Sequence, residues 1–342
     1  MMCCANCFGD RGLKRQIIPL HSAEQGRCSY CESENQDLIE PNQLADYFEL
    51  LTSIYRPNDE GKTLVEWLKE DWSLFDHPKL ENAKAKELLA VILNDGEIVR
   101  KKFIPSELCH SDQLDRWEEL RKELMHRNRF FPKTDIDTNS FEKLLLSLII
   151  DPEEIPEVWH RARIQEGNDS YQISDMGAPP ERIATHGRAS PAGIPYLYLG
   201  STHETAITEV RPHPGEIACV AKFIIYKNLD IIDLREPRKL VSPFLLEDEQ
   251  EIALLRGNIE FLEKLGQELT TPVLPTAAAI DYIPSQYLCE FIKKCGYRGV
   301  IYKSSVSDGI NLALFNPSDA TSDSLKYYTI LSVSVEVEEK EV

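Results

Sequence analysis

At 342 residues the chain exceeds what one hydrophobic core comfortably holds, so two or more domains are expected. Its 42% hydrophobic and 28% charged residues exclude disorder, and the longest apolar run, Leu144 to Ile150, is too short to cross a bilayer. A formal net charge of -19 repels phosphate backbones at long range, which argues against general nucleic-acid binding. The N-terminus has no basic-then-apolar leader, so cytoplasmic residence, no membrane partner, and free or metal-bound thiols are expected.

Residues 1–36 hold Cys4-x-x-Cys7 and Cys28-x-x-Cys31. Two such pairs joined by a short loop suit tetrahedral zinc, each pair gripping the metal from a tight turn. No histidine or carboxylate completes an open site, so the expected zinc is structural, and it supplies stability that so small an element lacks. Cys3 is an alternative ligand.

Residues 37–152 read as a helical domain. Apolar residues recur at helical spacing in "NQLADYFELLTSIY", "HPKLENAKAKELLAVIL", "SDQLDRWEELRKELMHRNRFF" and "SFEKLLLSLII", and no glycine falls between Gly96 and Gly167. Arg121 and His126 resemble the loose Arg-x(4–6)-His pattern of HEPN-type ribonucleases; by residue type alone they read as a solvated helix face. Arg116 to Lys133 is the most basic stretch of this part and a candidate surface for a partner.

Residues 153–342 change character. Short strand-like runs appear at "VWHRARI", "IPYLYLG", "IACVAKFIIY", "LDIIDL", "YRGVIYKSS", "INLALFN" and "YTILSVSVEVE". Helical patterns interrupt them at Thr202 to Val210, Pro243 to Leu265 and Ser285 to Cys295. The irregular alternation predicts an α+β fold and not a Rossmann sheet, and no phosphate-binding glycine pattern accompanies it. The acidic end "EVEEKEV" reads as a solvated tail.

One segment of this part carries chemistry: "GRASPAGIPYLYLGSTHETAITEVRP", Gly187 to Pro212. Strand periodicity puts Leu197 and Leu199 in the core and Ile194, Tyr196 and Tyr198 on the other face, bordering solvent or a cleft. Ser201-x-x-Glu204 reads as a capping box opening a helix that Pro212 and Pro214 close. Glu209 then falls in the half of that helix where the dipole disfavours a carboxylate. Taken singly, Arg188 and Glu209 read as surface ion-pair partners and Tyr198 as a core-edge residue.

As a set they resemble the RES domain, whose members carry an arginine turn, a tyrosine strand and a glutamate helix at this spacing. "GYRGVIYKSSVSDGINLALFNP" completes the resemblance, with Ser304 in the serine position, Ser305 its rival, and Asn311 before the last apolar run. The start of the chain also looks like the HEPN/RES N-terminal domain that precedes some RES domains. Ala189 stands where many members have tryptophan.

The resemblance implies an ADP-ribosyltransferase-like C-terminal domain after the helical bundle and zinc element, acting as a toxin-like enzyme that destroys NAD. Glu209, Arg188, Tyr198 and Ser304 would be catalytic, and Arg188, Tyr198, Ser304 and Asn311 would hold the dinucleotide. Arg188 is the one candidate for its phosphates; no second anion site is legible. Water as acceptor would make an NAD glycohydrolase, phosphate an NAD phosphorylase, and a protein side chain an ADP-ribosyltransferase. An antitoxin or regulatory partner is implied as well. Two alternatives compete: an HEPN-type ribonuclease with a RES nucleotide sensor, and a nucleotide-binding module without turnover.

Overall fold

The computed structural model describes residues 1–22, 24–167, 170–334 and 337. The chain forms two compact units that interleave along the sequence: Met1–Glu119, Thr134–Leu148 and Glu236–Lys264 make one; Leu120–Lys133, Ile149–Arg235 and Leu265–Val342 make the other. The units therefore do not follow the linear order 1–36, 37–152, 153–342. No helix among the described residues is long and apolar enough to cross a membrane.

The first unit opens with a small antiparallel sheet, β1 (Cys3–Cys4) and β2 (Glu24–Gly26) flanking β3 (Gln36–Ile39). Helices Ala45–Thr52, Leu64–Trp72, Asn82–Ile92, Thr138–Leu146 and Glu249–Gly257 supply most of the rest. Their starts are written in the sequence: Thr63 and Glu66 form a full capping box, and Asp137 and Asp248 accept N–H bonds of the turns they open. Trp117 and Phe141 pack edge-on against Phe261, and Phe8 packs against Phe48 and Phe75. The helical reading of residues 37–152 needs correction at its start, where β3 runs to Ile39, and again inside it. Tyr55–Thr63 (β4) pairs with Lys102–Pro105 (β5) around a bulge between Pro57 and Lys62. Charge, proline and glycine in "YRPNDEGKT" hide the alternating pattern of a strand.

Asp10 is buried in this unit, where its Oδ1 accepts bonds from Leu13 N–H (2.8 Å) and the Ser242 hydroxyl (2.8 Å). Burial outweighs those bonds and pushes the carboxyl up to about 6 from 3.8. A pKa raised on folding stabilises the protein below the unfolded value, and that stability is lost as pH rises through about 6. Asp10→Asn keeps the accepting oxygen. It should raise stability near pH 8 by up to about 3 kcal/mol, two units at ~1.36 each, and change little near pH 4. Paired thermal melts at the two pH values check this, and an equal gap at both would contradict it.

The second unit is built on a seven-stranded sheet. In chain order its strands are β6 (Val158–Ile164), β7 (Leu197–Gly200), β8 (Ile217–Ile225), β9 (Ile231–Asp233), β10 (Gly299–Lys303), β11 (Ile310–Leu314) and β12 (Ala320–Thr329). Their spatial order is β12-β8-β6-β7-β11-β10-β9, antiparallel throughout except for the β9–β10 pair. Trp159, Leu197, Leu199, Phe223, Ile301, Leu312 and Leu314 form its core. The arrangement is mixed α+β with a mainly antiparallel sheet.

Several local readings are corrected here. β12 begins at Ala320 and ends at Thr329, where the expected run "YTILSVSVEVE" had only begun. As an edge strand against β8 it is polar and half exposed, so "ATSDSLKYYT" lacks the apolar signature of a buried strand. The acidic end, 336–342, lies outside the described residues apart from Val337. Pro243 to Leu265 is not one helix: a 3-10 turn at Pro243–Leu245 is followed by Glu249–Gly257 and Ile259–Thr270, with Asn258 between them.

β6 and β7 are neighbours that meet at a single residue pair, His160 with Gly200, whereas β6 and β8 pair along seven. The sheet thus opens beside β6, and the cavity described below lies at that opening.

Candidate active site

Gly200 ends β7, and a Cβ there would stand 2.8 Å from Ala206 N, so only glycine lets the next helix, His203–Glu209, fold back this closely. That helix is capped one residue later than the sequence suggests. Thr202 Oγ1 accepts the Thr205 N–H at 3.1 Å, while Ser201 Oγ accepts the Ile310 N–H of β11, and exposed Glu204 lies 2.9 Å from His203. The expected Ser201/Glu204 box is absent because Ser201 is taken up by sheet pairing. The start of the helix is accordingly anchored to β11.

Glu209 closes this helix. Its Oε1 accepts two bonds, from the Ser304 hydroxyl at 2.7 Å and from Asn311 Nδ2 at 2.6 Å. Ser304 follows β10, Asn311 lies on β11 opposite Tyr302, and both are nearly inaccessible to solvent. Among the described residues Oε2 has no partner, and Glu209 lines a cavity of about 500 Å³. Two fixed donors on one oxygen set the orientation of the carboxylate.

Arg188 and Tyr198 line the same cavity. The arginine loop is held from several sides. The Ser285 hydroxyl donates to the Arg188 carbonyl at 2.5 Å, and Gln286 Nε2 donates to the carbonyls of Gly187 (2.9 Å) and Ser190 (3.2 Å). The guanidinium is itself engaged: Nη1 donates to the Thr271 carbonyl (2.7 Å), Nη2 to Ser305 Oγ (3.2 Å), and the group lies 5.1 Å from the Tyr282 ring centre. The two serines therefore divide the site, Ser304 serving the carboxylate and Ser305 the guanidinium.

Tyr198 borders the cavity with its hydroxyl tied to the arginine loop. Its hydroxyl accepts the Ala189 N–H at 3.1 Å and shares a bond with Ser190 Oγ at 2.9 Å, and burial pushes the phenol up to about 12. Tyr196 does not join it at the cleft. Strand pairing starts only at Leu197, after Pro195, and Tyr196 is buried with its hydroxyl on Glu290.

Three features escaped the sequence reading. Arg161 of β6 and Arg211 also line the cavity, so Arg188 is not the one arginine there. Arg211 sits just past the helix end with φ +50°, the left-handed conformation that glycine normally takes at that place. Tyr302 and Tyr282 supply aromatic walls. Arg161 falls in an ordinary-looking strand, "VWHRARI", with no local pattern to mark it; the helix-end position of Arg211 was legible from Pro212, but its direction was not.

Arg121 and His126 do not converge. Five residues apart on one helix, they project about 140° from each other. Arg121 Nε lies 3.0 Å from the buried carboxylate of Glu268, while His126 is exposed at the helix end.

A second cluster lies in the first unit. The sulfurs of Cys4, Cys7, Cys28 and Cys31 are all buried and all within 4.8 Å of one another, with Cys4–Cys31 at 3.5 Å and Cys7–Cys28 at 3.3 Å. Zinc–sulfur bonds of about 2.3 Å in a tetrahedron give sulfur separations of about 3.8 Å, so this donor set fits a four-thiolate metal. Cys3 is buried too, but its sulfur is directed to the Ile39 carbonyl, 3.6 Å away.

The chain belongs to the RES-domain family: residues 158–330 match that family's model. Comparison with curated proteins finds no match. Among solved structures the chain is similar to one described as the crystal structure of the M. tuberculosis MbcT-MbcA toxin-antitoxin complex. Identity there is 13%, over 56% of this chain and 93% of that one, with a TM-score of 0.33, too low to compare sheets or sites.

Proposed function

We propose that the cavity binds NAD and that the protein cleaves the bond between nicotinamide and ribose. The observation that carries this reading is the Glu209 carboxylate, held through one oxygen by Ser304 and Asn311, at the lining of a cavity that also bears three arginines. The scissile bond breaks with oxocarbenium character. Its electron pair passes to the pyridinium nitrogen, so nicotinamide leaves neutral and no general acid is needed. The positive charge stays on the ribose, where a fixed carboxylate is worth more in the transition state than in the bound substrate. Arginines then suit the diphosphate, with paired donors matched to its oxygens.

Membership of the RES family supports the same reading through the resemblance of Arg188, Tyr198, Glu209 and Ser304 to its motif residues. The proposal extends to a toxin-like role, because unrestrained loss of NAD would arrest growth, and to a protein partner that restrains it. It also extends to zinc on the four cysteines, in a structural role.

Incubating purified protein with NAD, with and without inorganic phosphate, and separating the products by chromatography tests the reading. Nicotinamide release is expected, accompanied by ADP-ribose if water is the acceptor or by its 1″-phosphate if phosphate is. No nicotinamide from folded protein under either condition would end the proposal.

A further inference from the structure

The helix Gln113–His126 runs into a short loop, 127–133, that takes no part in the cavity. Glu123, only 7% exposed, clasps both ends of this loop. Its carbonyl accepts the N–H groups of Arg127 (2.8 Å) and Asn128 (2.9 Å), and its Oε1 accepts the Lys133 N–H at 2.9 Å. Inside the clasp the Asn128 side chain accepts the Phe131 N–H at 3.2 Å and donates to the Phe131 carbonyl. The loop is therefore a built turn and not slack chain. Its tip is nonetheless apolar: Phe130 is 83% exposed and Phe131 81%. Lys122, Arg127, Arg129 and Lys133 flank these rings, all exposed, and none forms an ion pair with a described residue.

Leaving two phenyl rings in water is unfavourable, and the clasp keeps them from folding back onto the protein. The unpaired cations say what chemistry would relieve it: an anionic surface with an apolar layer beneath. A bilayer containing anionic lipid offers both, in that order of depth. The size of the patch decides between this and an acidic protein. A stable protein interface takes about 800 Å² from each partner, built around an apolar centre. This turn offers two rings bordered by charge, too little for such a centre but enough to wedge among headgroups. Long flexible lysines and arginines also suit phosphates whose positions are not fixed. The arguments against a membrane partner do not reach this loop. A wedge needs no apolar run of spanning length. The net charge of -19 belongs to the whole chain and is largely screened beyond about 8 Å.

We propose that the 127–133 loop is a peripheral membrane contact. Phe130 and Phe131 enter the headgroup region of a bilayer rich in anionic lipid, while Lys122, Arg127, Arg129 and Lys133 lie against its phosphates. The contact is reversible, because two rings and a few cations fall far short of a spanning helix. None of these residues lines the cavity, so the contact stands independently of the dinucleotide reading.

Flotation with vesicles of phosphatidylcholine, alone or mixed equally with phosphatidylglycerol, tests the assignment. Wild type should float with the mixed vesicles and not with phosphatidylcholine alone. One cation beside such a surface corresponds to roughly five-fold in affinity, so Arg127→Gln/Arg129→Gln should bind about 25-fold more weakly and with a shallower salt dependence. Phe130→Ser/Phe131→Ser should lose about 10-fold or more. These positions are exposed, so both variants should melt as wild type does. Insertion has its own signature: in Phe131→Trp, brominated lipid should quench fluorescence beyond what wild type shows. Wild type that ignores the mixed vesicles, binding untouched by the phenylalanine pair, or no added quenching at position 131 would each overturn the proposal. Wild type that ignores vesicles but binds polyglutamate, and loses it with the arginine pair, would overturn it in favour of an acidic protein.

Discussion

Glu209→Gln should slow nicotinamide release from NAD by at least 10²- to 10³-fold, about 3–4 kcal/mol in barrier height, while leaving the fold intact. The geometry makes this substitution unusually clean. Ser304 and Asn311 both donate to one oxygen of Glu209, and a glutamine can offer its carbonyl oxygen to the same two donors. The side chain keeps its place and shape; the charge at the cavity lining is lost. What remains measures what that charge contributes as the ribose becomes cationic. Single-turnover nicotinamide release, with circular dichroism to confirm folding, provides the check. Retention of the wild-type rate would show that the carboxylate does not act on the reacting atoms.

Removing metal from the four-cysteine cluster should have the second large effect, on stability instead of chemistry. Structural zinc in small thiolate sites binds with about 10–16 kcal/mol of free energy near neutral pH, and that binding is what folds the surrounding chain. Cys4, Cys7, Cys28 and Cys31 are buried in an element whose strands are only two to four residues long, so metal would add to the packing of Phe8 against Phe48 and Phe75 in holding it. Elemental analysis should find one zinc per chain, and Cys28→Ser should abolish it. A strong chelator should lower the melting temperature by about 5–10 °C, given an effect of several kcal/mol on a chain of this size. Metal-free protein that melts as the untreated protein does would remove zinc from the account.

Legibility from sequence followed the range of the interaction. Cys4-x-x-Cys7 and Cys28-x-x-Cys31 are local spacings, and a motif of 22 residues carried Arg188, Tyr198 and Glu209 together. Strands with apolar runs, such as β8 and β11, were visible, but polar β4 and edge strand β12 were misjudged because they lack a buried face on both sides. Ser285 and Gln286 lie nearly a hundred residues from the loop they hold, and nothing in their own neighbourhood announces it. The place of Arg161 at the cavity was illegible for a different reason: it depends on where two strands separate, and strand pairing leaves no mark on a single sequence.

The bonding of the Tyr198 hydroxyl bears on how any substitution there should be interpreted. The phenol joins β7 to the arginine loop through Ala189 and Ser190, and even a methyl group on Gly187 would stand 2.5 Å from its oxygen. Tyr198→Phe would keep the ring and its stacking face but release that tether, so a slow variant would report a displaced arginine loop and not a lost aromatic contact. The hinge of the experiment is thus the backbone of residues 187–190, whose displacement can be followed directly. An inert phenylalanine variant would not by itself make the tyrosine a participant in bond breaking.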